Sequence, residues 1–292
     1  MNFQQLEYIV ALNKYKNFVA AAEACFVSQP TLSMMVKKLE EELDITIIRR
    51  GVQPLTFTTE GELLLQQAKR ILAEQQLMKE ISKEISKGLE GKIRLSVIPS
   101  LAASVVPGFI HQLEHSEHKL EVKISELPTE KALQALQLGE IDMAILATES
   151  DTTIFQSEPL YEEDFVAYVS PIEKMPKGKF IQSKHLAAEK LWFLSEEHCF
   201  REQALEVCSY GKRKKQRVSY DAGSLLSLIQ LVDLNGGITL LPAESVHFLS
   251  TKQKANIREF APPTPKRLVQ LTTLNDYPRK RVIQFFKELL TI

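Results

Sequence analysis

Apolar positions recur at helical spacing through the first third of the chain. Phe3, Leu6, Ile9 and Val10 fall on one face of a helix predicted over residues 3–12. Asn17 is placed to cap a second, alanine-rich helix at 18–25. Ser28 and Pro30 open a third, in which Leu32, Met35, Val36 and Leu39 face one way. Serine suits the cap, and proline costs nothing in a first turn whose N–H has no helical partner. Residues 45–50 and 55–58 are β-rich and flank Gly51, a hairpin signal. Thr58 or Thr59 then caps a helix predicted to reach Lys87, carrying Leu63, Leu64, Ala68, Ile71, Leu72, Leu77, Ile81 and Ile85. About thirty residues is long for a helix in a globular domain. Apolar spacing with charged flanks predicts that it pairs with a second copy of itself, and residues 88–91 are read as a hinge.

From Lys92 the period changes. The short apolar runs IRLSVI, LEVKIS and DMAILA alternate with helical stretches at 101–115 and 129–138, the pattern of a βαβ sheet. A second set follows: FVAYVS, KLWFLS, QRVSYDA, GITLLP and RLVQLTTL, with helices predicted at 199–209, 224–234 and 278–290. Two α/β lobes joined by crossing strands would hold a ligand in the crevice between them. The predicted divisions are 1–58, a long helix at 59–87, the hinge, one lobe from 92–163 with 268–292, and a second lobe at 164–267.

Composition narrows the class. With 44% hydrophobic and 25% charged residues, the 292-residue chain reads as a soluble multi-domain protein. No apolar run approaches the roughly 18 residues of a membrane span, and the N-terminus lacks a signal-peptide pattern, so a cytoplasmic location is expected. A net charge of −1 does not announce a nucleic-acid binder. Even in the first sixty residues Lys14, Lys16, Lys37, Lys38, Arg49 and Arg50 face a similar number of acids. A DNA reading therefore rests on where charges sit.

The helices around residues 18–43 fit a helix-turn-helix, whose second helix would present Gln29, Pro30, Thr31 and Ser33 to base edges and Lys37 and Lys38 to phosphates. Arg49 and Arg50 on the ribbon are candidates for backbone or minor-groove contact. Periodicity alone equally describes an amphipathic bundle with solvated lysines. The run AAEACFVSQPTLSMMVKKLEEELDITIIRR, followed by LTFTTEG and the long helix, resembles the winged helix-turn-helix and linker helix of LysR-type transcriptional regulators. The α/β remainder is similar to that family's two-lobed, periplasmic-binding-protein-like regulatory domain. The resemblance implies an α plus α/β architecture, a homodimer or homotetramer, and double-stranded DNA and RNA polymerase as partners. With no basic excess, counterion release per protomer is modest, and tight binding would need several protomers on one extended site.

Three cysteines, Cys25, Cys199 and Cys208, are too few for a disulfide scaffold. Cys25 reads as packing in the second helix. Cys199 and Cys208 lie nine residues apart, which leaves redox, metal and inert readings open, though zinc spacings disfavour a metal. Cys199 begins a predicted helix, where the dipole and free N–H groups stabilise a thiolate, and His198 and Arg201 stand close in sequence. Nine helical residues separate two Cα atoms by about 13 Å, whereas a disulfide tolerates about 7 Å. Joining the pair would therefore require the helix to unravel.

The His-Cys pair, Arg201, Gln203 and the second cysteine resemble the peroxide-sensing branch of the LysR family, as do MNFQQLEYIVAL and AEACFVSQPTLS. That similarity implies Cys199 as the peroxidatic and Cys208 as the resolving residue, with oxidation switching antioxidant genes. It also places Ser100, Thr129, His198, Arg201 and Arg267 in a peroxide pocket. The branch usually has threonine where this chain has Ser100, so the hydroxyl is kept and the rotamer-restricting methyl is lost. By sequence alone Ser100 and Thr129 read as helix caps, His198 as a surface cap residue and Arg267 as a solvated strand end. No cofactor, no metal and no enzymatic activity are expected. Two competing functions remain: a regulator gated by a metabolite in the interlobe cleft, with Ser100, Thr129 and the Gly236-Gly237 turn lining it, and a thiol peroxidase.

Overall fold

The computed structural model describes residues 1–49, 51, 54–173, 180–186, 191–195, 199–207, 220 and 222–291. These divide into two compact units, 1–91 with 135–140, and 92–134 with 141–292.

In the first unit, α1 (Phe3–Tyr15), α2 (Phe18–Ala24) and α3 (Gln29–Leu43) pack around Leu6, Tyr8, Ile9, Leu12, Leu32, Val36 and Leu39, all buried. Their boundaries are set by side chains. Asn2 and Gln5 form a reciprocal capping box on α1, and the Asn17 carboxamide accepts from Val19 and Ala20 N–H. Ser28 Oγ accepts from Thr31 N at 3.3 Å and shares a hydrogen bond with Thr31 Oγ at 2.8 Å. Ser28→Ala should therefore cost about 1 kcal/mol, read as a lower melting temperature of this unit by circular dichroism.

The hairpin is short: β1 (Ile48–Arg49) pairs antiparallel with β2 (Thr56–Phe57). Glu40 Oε1 accepts from Ile47 and Ile48 N–H at 2.8 and 3.1 Å and fastens α3 to the ribbon. Then α4 (Thr59–Lys87) runs 29 residues from its Thr58 cap to Gly88, whose φ of 86° ends it. Leu63, Met78 and Ile85 stand exposed along its length. Where α4 begins, a clamp joins it to the hairpin. Thr58 N donates to Ile47 O at 3.0 Å, Thr58 Oγ donates to Thr46 O at 2.6 Å, and Gly61 N donates to Thr58 Oγ at 2.9 Å.

The second unit is built on one path of strands. Its members are β3 (Glu90–Val97), β4 (Lys119–Glu126), β5 (Met143–Leu146), β6 (Phe155–Val169), β7 (Phe180–Ile181), β8 (Ile238–Pro242), β9 (Ile257–Phe260) and β10 (Lys266–Leu274). The order is β4-β3-β5-β10-β6-β9-β7, with β8 also on β6. Helices α5 (Pro99–Glu114), α6 (Thr129–Gln137, whose last three residues belong to the first unit), α7 (Cys199–Val207), α8 (Leu225–Asn235), α9 (Thr251–Lys254) and α10 (Lys280–Leu290) complete it. The strand β6 is longer than its apolar half predicts. Residues 155–164 pair with β10, and 165–169 pair with β8, with β9 on 166–168. A register shift between Val269 and Gln270 sets Tyr161 and Pro159 against consecutive partners, so the pairing steps over Leu160. The run KLWFLS is not a ladder strand: Leu191 and Leu194 make single bridges to Ile238 and Ala222. The predicted strand QRVSYDA lies almost wholly outside the described residues, while β9 carries too little apolar alternation to have been expected. Among the described residues no single helix is long and apolar enough to cross a membrane.

Candidate functional site

Three helices and two long strands meet at the carboxyl edge of β3, β4 and β5. Leu127 N donates to Val97 O at 3.2 Å, which sets the ends of β3 and β4 side by side. Ser100 and Thr129 therefore open neighbouring helices, α5 and α6. From α7, Gln203 Nε2 reaches Ala147 O, one residue beyond β5. Phe200, also from α7, is buried against Phe165 with ring centroids 5.3 Å apart.

Arg267 ties these pieces together. It stands directly opposite Glu163 in the β10–β6 register. Its Nε donates to Glu163 Oε2 at 2.8 Å, and Nη2 lies 2.7 Å from the same oxygen, with both side chains 1% exposed. Nη1 donates to Ser100 Oγ at 2.9 Å, Nη2 to Ser100 O at 3.4 Å, and the guanidinium carbon sits 5.3 Å over the Phe200 ring. Arg267 is therefore a buried tie and not a solvated strand end. Ser100 is not a cap either: the N-cap of α5 is Ile98, with no side-chain cap bond, and the serine hydroxyl is held by Arg267. That donor fixes the hydroxyl where a threonine methyl would otherwise restrict it. Because Ser100 Oγ accepts from Arg267, its own proton is free to donate elsewhere.

Buried polar atoms remain at this edge. Among the described residues, Thr129 Oγ, Glu163 Oε1 and Gln203 Oε1 have no hydrogen-bond partner. Leaving such an atom unsatisfied costs about 1–3 kcal/mol, so each would gain from a polar partner. Burial, reinforced by Glu163 and opposed by Arg267, pushes the Tyr161 hydroxyl up to about 12, and it stays neutral at ordinary pH. Arg201 is half-buried in the first turn of α7. Cys199 opens that helix. The Cys199 side chain, His198, Cys208 and Arg50 lie outside the described residues.

Glu163 and Phe200 carry no signal in the sequence. Glu163 lies in the polar half of β6, and only the register shows which residue faces it. Cys25 is half-buried beside the first unit's core, with its thiol pushed up by burial and by Glu7.

In the first unit an open groove of about 790 Å³ is lined by Lys16, Asn17, Gln29, Ser33, Arg49 and Pro54 among others. It joins the starts of α2 and α3 to the hairpin. Gln29, Pro30 and Thr31 are exposed and Ser33 is half-buried. Thr31 is partly committed to the Ser28 cap. Lys37 is exposed and pairs with Glu41 at 3.4 Å, a contact that surface solvation makes weak.

Two family models match the chain: the bacterial regulatory helix-turn-helix protein, lysR family, over residues 3–62, and the LysR substrate binding domain over residues 86–291. The chain belongs to the LysR family. It is 34% identical over 271 residues to a hydrogen peroxide-inducible genes activator from Haemophilus influenzae, covering 93% of this chain and 90% of that one. It is 32% identical over 284 residues to the DNA-binding transcriptional dual regulator OxyR of Escherichia coli K12, covering 97% and 88%. Among solved structures it is similar to a full-length OxyR variant from Pseudomonas aeruginosa, with a TM-score of 0.79, 29% identity and coverage of 100% and 98%. A hydrogen peroxide-bound OxyR mutant from Corynebacterium glutamicum gives a TM-score of 0.66 at 25% identity, covering 99% and 91%.

Proposed function

We propose that this chain is a hydrogen peroxide-responsive, DNA-binding transcription regulator that switches through Cys199 and Cys208. The observation that carries the reading is the placement of α7. Its first residue is Cys199, and its second, Phe200, lies against the buried Arg267–Glu163–Ser100 tie. A helix N-terminus favours thiolate, and the neighbouring hydroxyls and guanidinium suit a peroxide and its departing hydroxide. The names of the relatives point the same way.

The chemistry balances without a cofactor. The Cys199 thiolate attacks one peroxide oxygen, an S–O bond forms as O–O breaks, and the leaving hydroxide takes a proton to become water. The Cys208 thiol then attacks the sulfenic sulfur, forming S–S and releasing a second water. Two thiols are oxidised to one disulfide and one H2O2 is reduced to two waters. Ser100, Thr129, His198, Arg201 and Arg267 are assigned to the peroxide pocket. Because α7 is helical to Val207, that residue alone lies about 12 Å along the axis from Cys199. A disulfide to the next residue thus demands that α7 unwind, which makes oxidation a refolding event.

DNA reading is assigned to Gln29, Pro30, Thr31, Ser33, Lys37 and Arg50, association of copies to the exposed apolar residues of α4, and the output to antioxidant genes through RNA polymerase. Non-reducing peptide mass spectrometry before and after one equivalent of H2O2 tests the switch. A Cys199–Cys208 peptide that disappears on reduction is expected, and Cys199→Ser should not form it. Persistent alkylation of both thiols after the pulse would remove the redox reading. One observation favours a second reading, gating by a metabolite. A cavity of about 240 Å³ is lined by Ser100, Glu126, Ser224, Leu226, Ser245 and Phe248. A Cys199→Ser variant that keeps its transcriptional response in cells would select that reading.

A further inference from the structure

Three of the chain's six histidines fall within eight residues, His111, His115 and His118. The first two lie one turn apart at the end of α5, whose last residue is Glu114 and whose C-cap is His115. Residues four apart share a helix face. Their rings stand 4.3 Å apart, centroid to centroid, at a tilt of 47°, and both residues are exposed. His118 packs edge-on against Phe285 at 4.6 Å.

Two further features organise the pair. His115 Nδ1 lies 2.7 Å from His111 O. That carbonyl can only accept, so Nδ1 is the donor, and in the neutral ring Nε2 keeps the lone pair. Metal-binding imidazoles use the same arrangement, one nitrogen anchored to a carbonyl and the other directed at the ion. The pair also sits at the carboxyl end of α5, where free carbonyls leave partial negative charge that favours a bound cation.

We propose that His111 and His115 form an exchangeable site for a borderline divalent transition metal of the Zn²⁺ class, independent of the redox segment. Imidazole suits such ions. Among the described residues no cluster of three or more potential ligands exists. The site is therefore a two-imidazole chelate whose remaining positions are taken by water, and its affinity is modest.

The test is a titration with Zn²⁺ alone, followed by calorimetry or by competition with a chromophoric chelator. It uses the full chain carrying Cys199→Ser and Cys208→Ser, which removes thiolates that would compete for the ion. One equivalent is expected to bind, with affinity falling about tenfold or more in His111→Ala and in His115→Ala. His118→Ala and His247→Ala should match the parent. Both key residues are exposed, so melting temperatures should be unchanged, and a shift of the two imidazole signals in NMR on adding Zn²⁺ gives an independent readout. The proposal is overturned if Zn²⁺ does not bind the parent, if His111→Ala and His115→Ala bind as the parent does, or if His118→Ala alone abolishes binding.

Discussion

Replacing Arg267 by alanine is expected to destabilise the second unit by about 3–5 kcal/mol. The reason is what it leaves behind. Glu163 is 1% exposed on its side chain, its Oε2 takes both contacts from Arg267, and its Oε1 has no partner among the described residues. Without the guanidinium a carboxylate would be stranded in the core, and Ser100 Oγ would lose its donor. A domain is stable by only about 5–15 kcal/mol, so the variant should unfold at a much lower urea concentration. Glu163→Leu combined with Arg267→Met should recover most of the loss, because two apolar residues of similar volume need no partner. The recovered protein would still lack the groups that face α7, and its Cys199 should react slowly with H2O2. If Arg267→Ala melts within about 1 kcal/mol of the parent, the tie is not the structural element described above.

The second large effect lies in the other unit. A Cβ built on Gly61 would stand 2.2 Å from Ile47 O, 2.9 Å from Ile47 C and 3.0 Å from Ile47 Cα. All three are backbone atoms of the segment that enters the hairpin, and no side-chain rotation relieves them. Gly61→Ala should therefore push the start of α4 off the ribbon and break the Thr58 clamp, costing about 3 kcal/mol. The expected readout is divided: DNA affinity falls with the stability of the first unit, while the rate of Cys199 alkylation stays at the parent value. Parent-like stability in both units would mean that α4 and the hairpin approach less closely than the Gly61–Ile47 geometry requires.

The first unit was legible because its helices begin at short polar side chains and keep their apolar residues on one face. Asn17, Ser28 and Thr58 cap as expected, and the periodicity of residues 3–43 maps onto one buried cluster. The sheet was harder to read for specific reasons. The first half of β6 carries Gln156, Glu158, Pro159, Glu162 and Glu163, which looks like a loop. It is a strand because β10 supplies its partners and the register shift absorbs the proline region. KLWFLS fails in the opposite sense, being apolar because Leu191, Phe193 and Leu194 fill the core and not because they form a ladder. At the site, spacing alone favoured capping for Ser100 and Thr129. Only the family resemblance grouped Ser100 with Arg267, and nothing in the local pattern pointed to Glu163. Cross-strand register is a tertiary fact that no window of sequence contains.

The Arg267–Glu163 rung also has a mechanical meaning. It crosses β6 just before the point where that strand leaves β10 and joins β8 and β9, so one unbroken strand serves as the axle of both halves of the sheet. Phe200 presses on the rung from the first turn of α7. A small rotation about an axle moves the far ends most: were α7 to let go, a slight twist at this rung would sweep the outer strands of both halves through the largest arcs.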